Sequence, residues 1–262
     1  MRLGVDLQSE KETAARDITS SGCQFIDLAA DEIIFEPSLF MREAITAANV
    51  RTNRSTNSIG LTSLRRVVAE RLSVKTGTRW GTEDVVISAN PKQALGEAAL
   101  AVLSQGDEAI IICPCSPAIP GQVLLAGATP VFVDARRPRY VPDAGAIRAA
   151  VTPRTRAIVI NSPNNPTGAV YDRATLGRIA DLALEAGLWI ISEESYSSFI
   201  FTGARRHESI VMAHPSVCSR TIVVNPLSTA ESEAKRPPIP TEGGQRFRSK
   251  TASQSERRRP PC

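Results

Sequence analysis

Two polar clusters are separated by one helical pattern. The first is Asn161-Ser162-Pro163-Asn164-Asn165-Pro166-Thr167-Gly168 and the second is Ser192-Glu193-Glu194-Ser195-Tyr196. Together they supply amides, carboxylates and a phenol, groups that exchange hydrogen bonds with a polar ligand. Taken alone, Asn-Pro-Thr-Gly is a common turn sequence. A third cluster, Ser88-Ala89-Asn90-Pro91-Lys92-Gln93, opens a helical pattern, and Pro91 suits a helix's first turn. Other chemistries are poorly provided for. With two histidines, His207 and His214, a histidine-based metal site is not expected. The five cysteines are scattered, Cys113 and Cys115 are one residue apart, and no zinc spacing occurs. Reduced thiols in a cytoplasmic protein are the expected state. Neither Gly-x-Gly-x-x-Gly nor a P-loop is present.

The elements that must position these clusters are legible as apolar runs. They are Val85-Val86-Ile87, Ala109–Ile112, Pro130–Val133, Ala157–Ile160, Leu188–Ile191 and Thr221–Val224. The runs are continuous and rich in β-branched residues, as in strands of a mostly parallel sheet buried on both faces. Between them, Leu95, Ala98, Ala99 and Val102 follow helical spacing, as do Leu176, Ile179, Ala180 and Ala183. Asp172 is the expected N-cap of the second helix and Gly187 its stop. Leu64 to Leu72 reads as a further helix after a turn at Gly60, and Ser9 to Ile18 as a weak one. Repeated βα units predict a doubly wound α/β domain.

The net charge of +4 resides wholly after Pro226, where eight basic residues face four acidic ones; residues 1–225 balance at 23 of each. The globular part therefore has no basic bias that points to nucleic acid. No apolar run approaches the ~20 residues of a membrane helix, and residues 1–20 lack a signal-peptide core. After Asn225 the composition turns to Pro, Ser, Arg and Gln, too polar to offset its ordering entropy. Three segments are expected: an N-terminal segment (1–50), the α/β domain (51–225) and a disordered basic tail (226–262).

The two clusters, at this spacing and in this order of βα elements, resemble the large domain of class I/II pyridoxal-phosphate-dependent aminotransferases of fold type I. The resemblance spans roughly residues 10 to 228. It implies an α-β-α sandwich around a mostly parallel sheet, here incomplete and without the C-terminal small domain. It also implies pyridoxal phosphate as cofactor, an amino acid and a 2-oxo acid as substrates, and a homodimer. Asn165 matches the family's donor to the cofactor's phenolic oxygen, and Tyr196 matches its tyrosine partner. Glu193 stands where the family has an aspartate that pairs with the pyridine nitrogen. Ser88 to Gln93, with Lys92, matches the phosphate cup. Gly60 and Leu64-Arg65 match a Gly-x-x-x-Leu-Arg element, and Phe25–Leu28 matches the entry strand.

Departures fall on functional positions. Thr229 stands at the family's imine-forming lysine, so no catalytic residue is expected, and Lys235 is the nearest lysine downstream. Pro91 has no N–H for a phosphate oxygen. Cys115-Ser116 replaces the aromatic pair that supplies a stacking ring. Ser55 replaces a tyrosine that reaches the neighbouring subunit, and Asp31 replaces a glycine at the substrate. In the family a seventh, antiparallel strand lies between the strand before the phosphate helix and the strand ending at the lysine loop. Without it, Val85–Ile87 and Thr221–Val224 are expected to lose their shared neighbour. The expectation is an inactive, truncated or frameshifted aminotransferase relative. The alternative is a non-catalytic interaction module recruited from the same fold.

Overall fold

A computed structural model describes residues 17–18, 39–49, 56–137, 139–200 and 207–226. The chain divides into two compact units, Met1–Asn53 and Arg54–Cys262. The first holds helix α1 (Leu39–Asn49). In the second, α2 (Thr62–Thr76) and α3 (Pro91–Val102) precede β1 (Glu108–Cys113), α4 (Ala118–Leu125) and β2 (Thr129–Asp134). Then come α5 (Ala144–Ala149), β3 (Thr155–Asn161), α6 (Arg173–Glu185), β4 (Trp189–Glu193), α7 (Ile210–Ala213) and β5 (Thr221–Val224). Among the described residues five strands pair in parallel in the order β2-β1-β3-β4-β5.

Strand alternation divides the apolar residues between two cores. Ile110, Ile158, Ile160 and Ile190 face α5, α6 and α7, with Ile147, Leu176, Ile179 and Ile210 fully buried among them. Ile111, Val159 and Ile191 face the other way, onto Leu95, Ala98 and Ala99 of α3 and Ile119 and Val123 of α4. Both faces of β1, β3 and β4 are covered, and for that reason these strands read as continuous apolar runs in the sequence. By contrast β2, at the end of the strand order, leaves Phe132 55% exposed. Asp172 caps α6, its carboxylate accepting from Thr175 N at 2.9 Å, and Gly187 ends the helix region at φ 67°.

One expected strand does not form. Val85-Val86-Ile87 is irregular, with Val85 buried and Val86 58% exposed. A strand needs a ladder partner for its N–H and C=O groups. Among the described residues the one such backbone bond here runs from Ile87 N to Ile59 O, at 3.1 Å. Among the described residues β5 pairs with β4 alone and forms an edge of the sheet. Phe25–Leu28, Asp31, Ser55, Thr229, Lys235 and the rest of the tail lie outside the described residues.

The Gly-x-x-x-Leu-Arg element has a structural task. Arg65 is buried, and its guanidinium donates to Thr82 O at 2.9 Å and Gly60 O at 3.3 Å. It thus ties the start of α2 to the chain entering α3. Gly60 sits at φ 98°, and a Cβ there would lie 2.7 Å from the Ile87 side chain. Substitution of Gly60 by Ala is expected to cost about 1–3 kcal/mol through the positive φ and this clash. Urea unfolding of the two chains checks it.

Candidate functional site

The polar clusters meet where β3 and β4 end. The register pairs Asn161 directly with Glu193. Asn161 is the hub: its Oδ1 accepts from Asn165 N at 2.7 Å, and its Nδ2 donates to Pro163 O at 3.2 Å and to the Glu193 carboxylate Oε2. Glu193 Oε1 accepts from Ser195 N at 2.9 Å. The extra methylene of Glu is therefore spent on neighbours, a fixed strand partner on one oxygen and the next turn on the other. Burial raises the Glu193 carboxyl above its ordinary range, while the bonds from Ser195 and Asn161 lower it. A cationic ring nitrogen would favour its charged form further.

Asn165 and Tyr196 are also brought together, with Asn165 Nδ2 3.3 Å from Tyr196 Oη. The turn that carries Asn165 is built by Asn164. Its Oδ1 accepts from Thr167 Oγ1 at 2.8 Å, and its Nδ2 donates to Pro114 O at 3.1 Å. Asn165, Glu193 and Tyr196 thus form one half-buried patch joined through Asn161. The amide, phenol and carboxylate fit the ring end of a pyridoxal cofactor.

The third cluster does not fit the cofactor's phosphate. Asn90 caps α3, with its Oδ1 accepting from Gln93 N at 2.9 Å. Gln93 Oε1 accepts from Ala89 N at 3.2 Å, and Gln93 Nε2 donates to Glu97 Oε1 at 2.7 Å. Ser88 Oγ donates to the other Glu97 oxygen. Two backbone N–H groups of this helix start are therefore taken by the chain's own side chains. Pro91 has no N–H, and a carboxylate stands on Ser88. A phosphate dianion here would meet fewer donors and a like charge. Lys92 lies exposed in the first turn.

Next to the patch lies a buried network that the sequence reading did not single out. Glu194 is 3% exposed. Its Oε1 accepts from Ser209 Oγ at 2.6 Å and Ser192 Oγ at 2.9 Å, and its Oε2 lies 3.0 Å from His207 Nε2. Lys75 of α2 faces the same region and donates to Ser197 Oγ at 3.2 Å. The acidic pair Glu193-Glu194 was visible, but nothing in the sequence tied Glu194 to a histidine 13 residues on. Asn161 opens the Asn-Ser-Pro-Asn-Asn-Pro-Thr-Gly motif, and its position as the last residue of β3 is the signal that marks it.

Burial pushes the Glu194 carboxyl from 4.5 to about 7; the Ser209 and Ser192 hydroxyls and the Lys75 charge oppose this, and the Glu193 charge adds to it. The folded chain then keeps a proton that the unfolded chain releases near 4.5. More protons are bound in the folded state across that window, so this contribution to stability is full below 4.5 and lost as pH rises towards 7. The melting temperature of the unaltered chain is expected to fall across this range relative to that of Glu194→Gln, which lacks the titration. Parallel pH slopes for the two chains would refute the assignment.

Comparisons with known proteins bear on the family and the fold. The family model for aminotransferase class I and II matches residues 24–231. The chain belongs to that family. Its members depend on pyridoxal phosphate. An aspartate aminotransferase from Bacillus sp. (strain YM-2) is 34% identical over 220 residues, 83% of this chain and 56% of that protein. The aspartate/prephenate aminotransferase of Thermus thermophilus is 34% identical over 191 residues, 72% of this chain and 50% of that one. A solved Thermus thermophilus aspartate aminotransferase tetra mutant complexed with tryptophan superposes with a TM-score of 0.81 at 30% identity, covering 88% of this chain and 60% of that chain. The chain thus spans about half the length of the curated relatives it matches. No helix among the described residues is long and apolar enough to cross a membrane.

Proposed function

We propose that this chain is an aminotransferase-family protein that no longer transfers amino groups. The reaction of its relatives, between an amino acid such as aspartate and a 2-oxo acid, is the ancestral one. The observation that carries this reading is the start of α3, where Asn90, Gln93 and Glu97 occupy the phosphate end and Pro91 offers no donor. Thr229 in place of a lysine supports it independently, because a hydroxyl cannot form an imine with an aldehyde. Asn165, Glu193 and Tyr196 keep the ring-facing groups, with Lys92 beside the cup. The abrupt change of composition after Asn225 supports a frame change as the origin. Reading the DNA in the other frames for Ser-x-Ser-Lys checks that. The family supports a homodimer, and the free thiols Cys113, Cys115 and Cys218 are in keeping with a cytoplasmic location.

The test is equilibrium dialysis of the full chain with pyridoxine 5′-phosphate and with pyridoxine, which lack the aldehyde and so cannot modify surface lysines. The phosphate is expected to add no affinity. In the double variant Pro91→Gly/Glu97→Gln it is expected to add about tenfold or more, the worth of charge-assisted bonds at a helix N-terminus. A tenfold preference for the phosphorylated compound by the unaltered chain would sink the reading.

A further inference from the structure

Cys113 is the last residue of β1 and Cys115 lies two residues on, in the loop that leads into α4. Their sulfurs are 3.8 Å apart. That is far beyond the ~2.05 Å of a disulfide. It lies within the span of about 4.6 Å that one centre bonded to two sulfurs at ~2.3 Å each can bridge, and a pyramidal centre with a narrower angle draws the two sulfurs a few tenths of an ångström closer. Both residues are half-buried, and Cys115 packs against the apolar core that includes α3 and α4. Burial first, and then the neighbouring thiol, push Cys115 up to about 12. Cys115 therefore rests as a neutral thiol and is poorly suited to act as a lone thiolate nucleophile.

Among the described residues, no group of three or more His, Cys, Asp or Glu is placed to hold a metal ion. A four-coordinate ion such as zinc would find two of its four ligands here. The pair matches a centre that needs two protein sulfurs and brings its own remaining substituent.

We propose that Cys113 and Cys115 form a dithiol clamp for a soft, thiophilic centre of the trivalent organoarsenic type. Binding is a condensation without electron transfer. Two S–H bonds and the arsenic–oxygen double bond break, two arsenic–sulfur bonds form, and both protons leave with the oxygen as water. Arsenic stays trivalent. The product carries no net charge, which suits a half-buried site that disfavours the Cys115 thiolate. The clamp also touches the ring-end patch, because Asn164 Nδ2 donates to Pro114 O between the two cysteines.

Phenylarsine oxide is the probe. The reduced full chain is treated with it, passed through a desalting column containing excess 2-mercaptoethanol, and weighed intact. One phenylarsenic group per chain is expected, mapping to the peptide that contains Cys113 and Cys115 and released by a dithiol such as 2,3-dimercaptopropanol. Cys113→Ser and Cys115→Ser are each expected to lower retention at least tenfold, and Cys218→Ser to leave it unchanged. Loss of the group from the unaltered chain to the monothiol, or its mapping to another cysteine, would overturn the proposal. So would full retention by either of the first two variants. Mapping on the unaltered chain decides the matter even if a serine variant fails to fold.

Discussion

Borohydride reduction of the full chain in the presence of pyridoxal phosphate is expected to leave no stoichiometric label on any single lysine. An internal imine needs an amine held at the cofactor's aldehyde carbon. Residue 229 is a threonine, and the nearest downstream lysine, Lys235, stands among prolines and charges. Lys92 is exposed in the first turn of α3, beside a helix start that its own neighbours cap. Scattered, substoichiometric labelling of surface lysines is the expected pattern on peptide mapping. One lysine labelled on every chain would contradict it. Thr229→Lys by itself is expected to leave transamination undetectable. Turnover requires the phosphate anchored and the reacting atoms aligned, and misalignment alone can cost orders of magnitude in rate. Conversion of any common amino acid by that single variant would show that Pro91 and Glu97 do not close the phosphate end.

The second large effect is on stability. Glu194→Ala is expected to destabilise the chain by about 3 kcal/mol or more at pH 7, because it removes the shared partner of buried groups. Ser192 and Ser209 would lose their acceptor and His207 its carboxylate, in a site with almost no access to water. For a domain of this size that is a fall of about 6–12 °C in melting temperature. Glu194→Gln keeps one acceptor oxygen and is expected to cost about half as much. Calorimetry on the three chains gives the order. An Ala variant that melts within about 2 °C of the parent would show that the network is dispensable, since that is under ~1 kcal/mol.

The order of βα units was legible in the sequence for a physical reason. Strands covered on both faces must be apolar at every position, and the helices between them must carry one apolar stripe. Ile158 and Val159 point to opposite cores and are both buried, so the run Ala157–Ile160 reads plainly as a strand. Asp172 and Gly187 bounded α6 because capping is local. The family signature was legible likewise, since Asn165 and Tyr196 lie in short motifs whose residue types are set by chemistry.

What composition could not decide was pairing. Val85–Ile87 has the residues of a strand, but a strand exists only with a ladder partner, and among the described residues none lies beside it. The hub role of Asn161 depends on the β3–β4 register, which sets it opposite Glu193. The capping of the α3 start by the chain's own side chains depends on one helical turn bringing Glu97 up to Gln93 and Ser88. The burial of Glu194 against His207 and Ser209 depends on where the chain returns after β4. By itself the sequence determined the family, the order of elements and the residue types at the site. The tertiary structure alone decided which of those residues satisfy one another, because hydrogen-bond partners distant in sequence are chosen by register and burial.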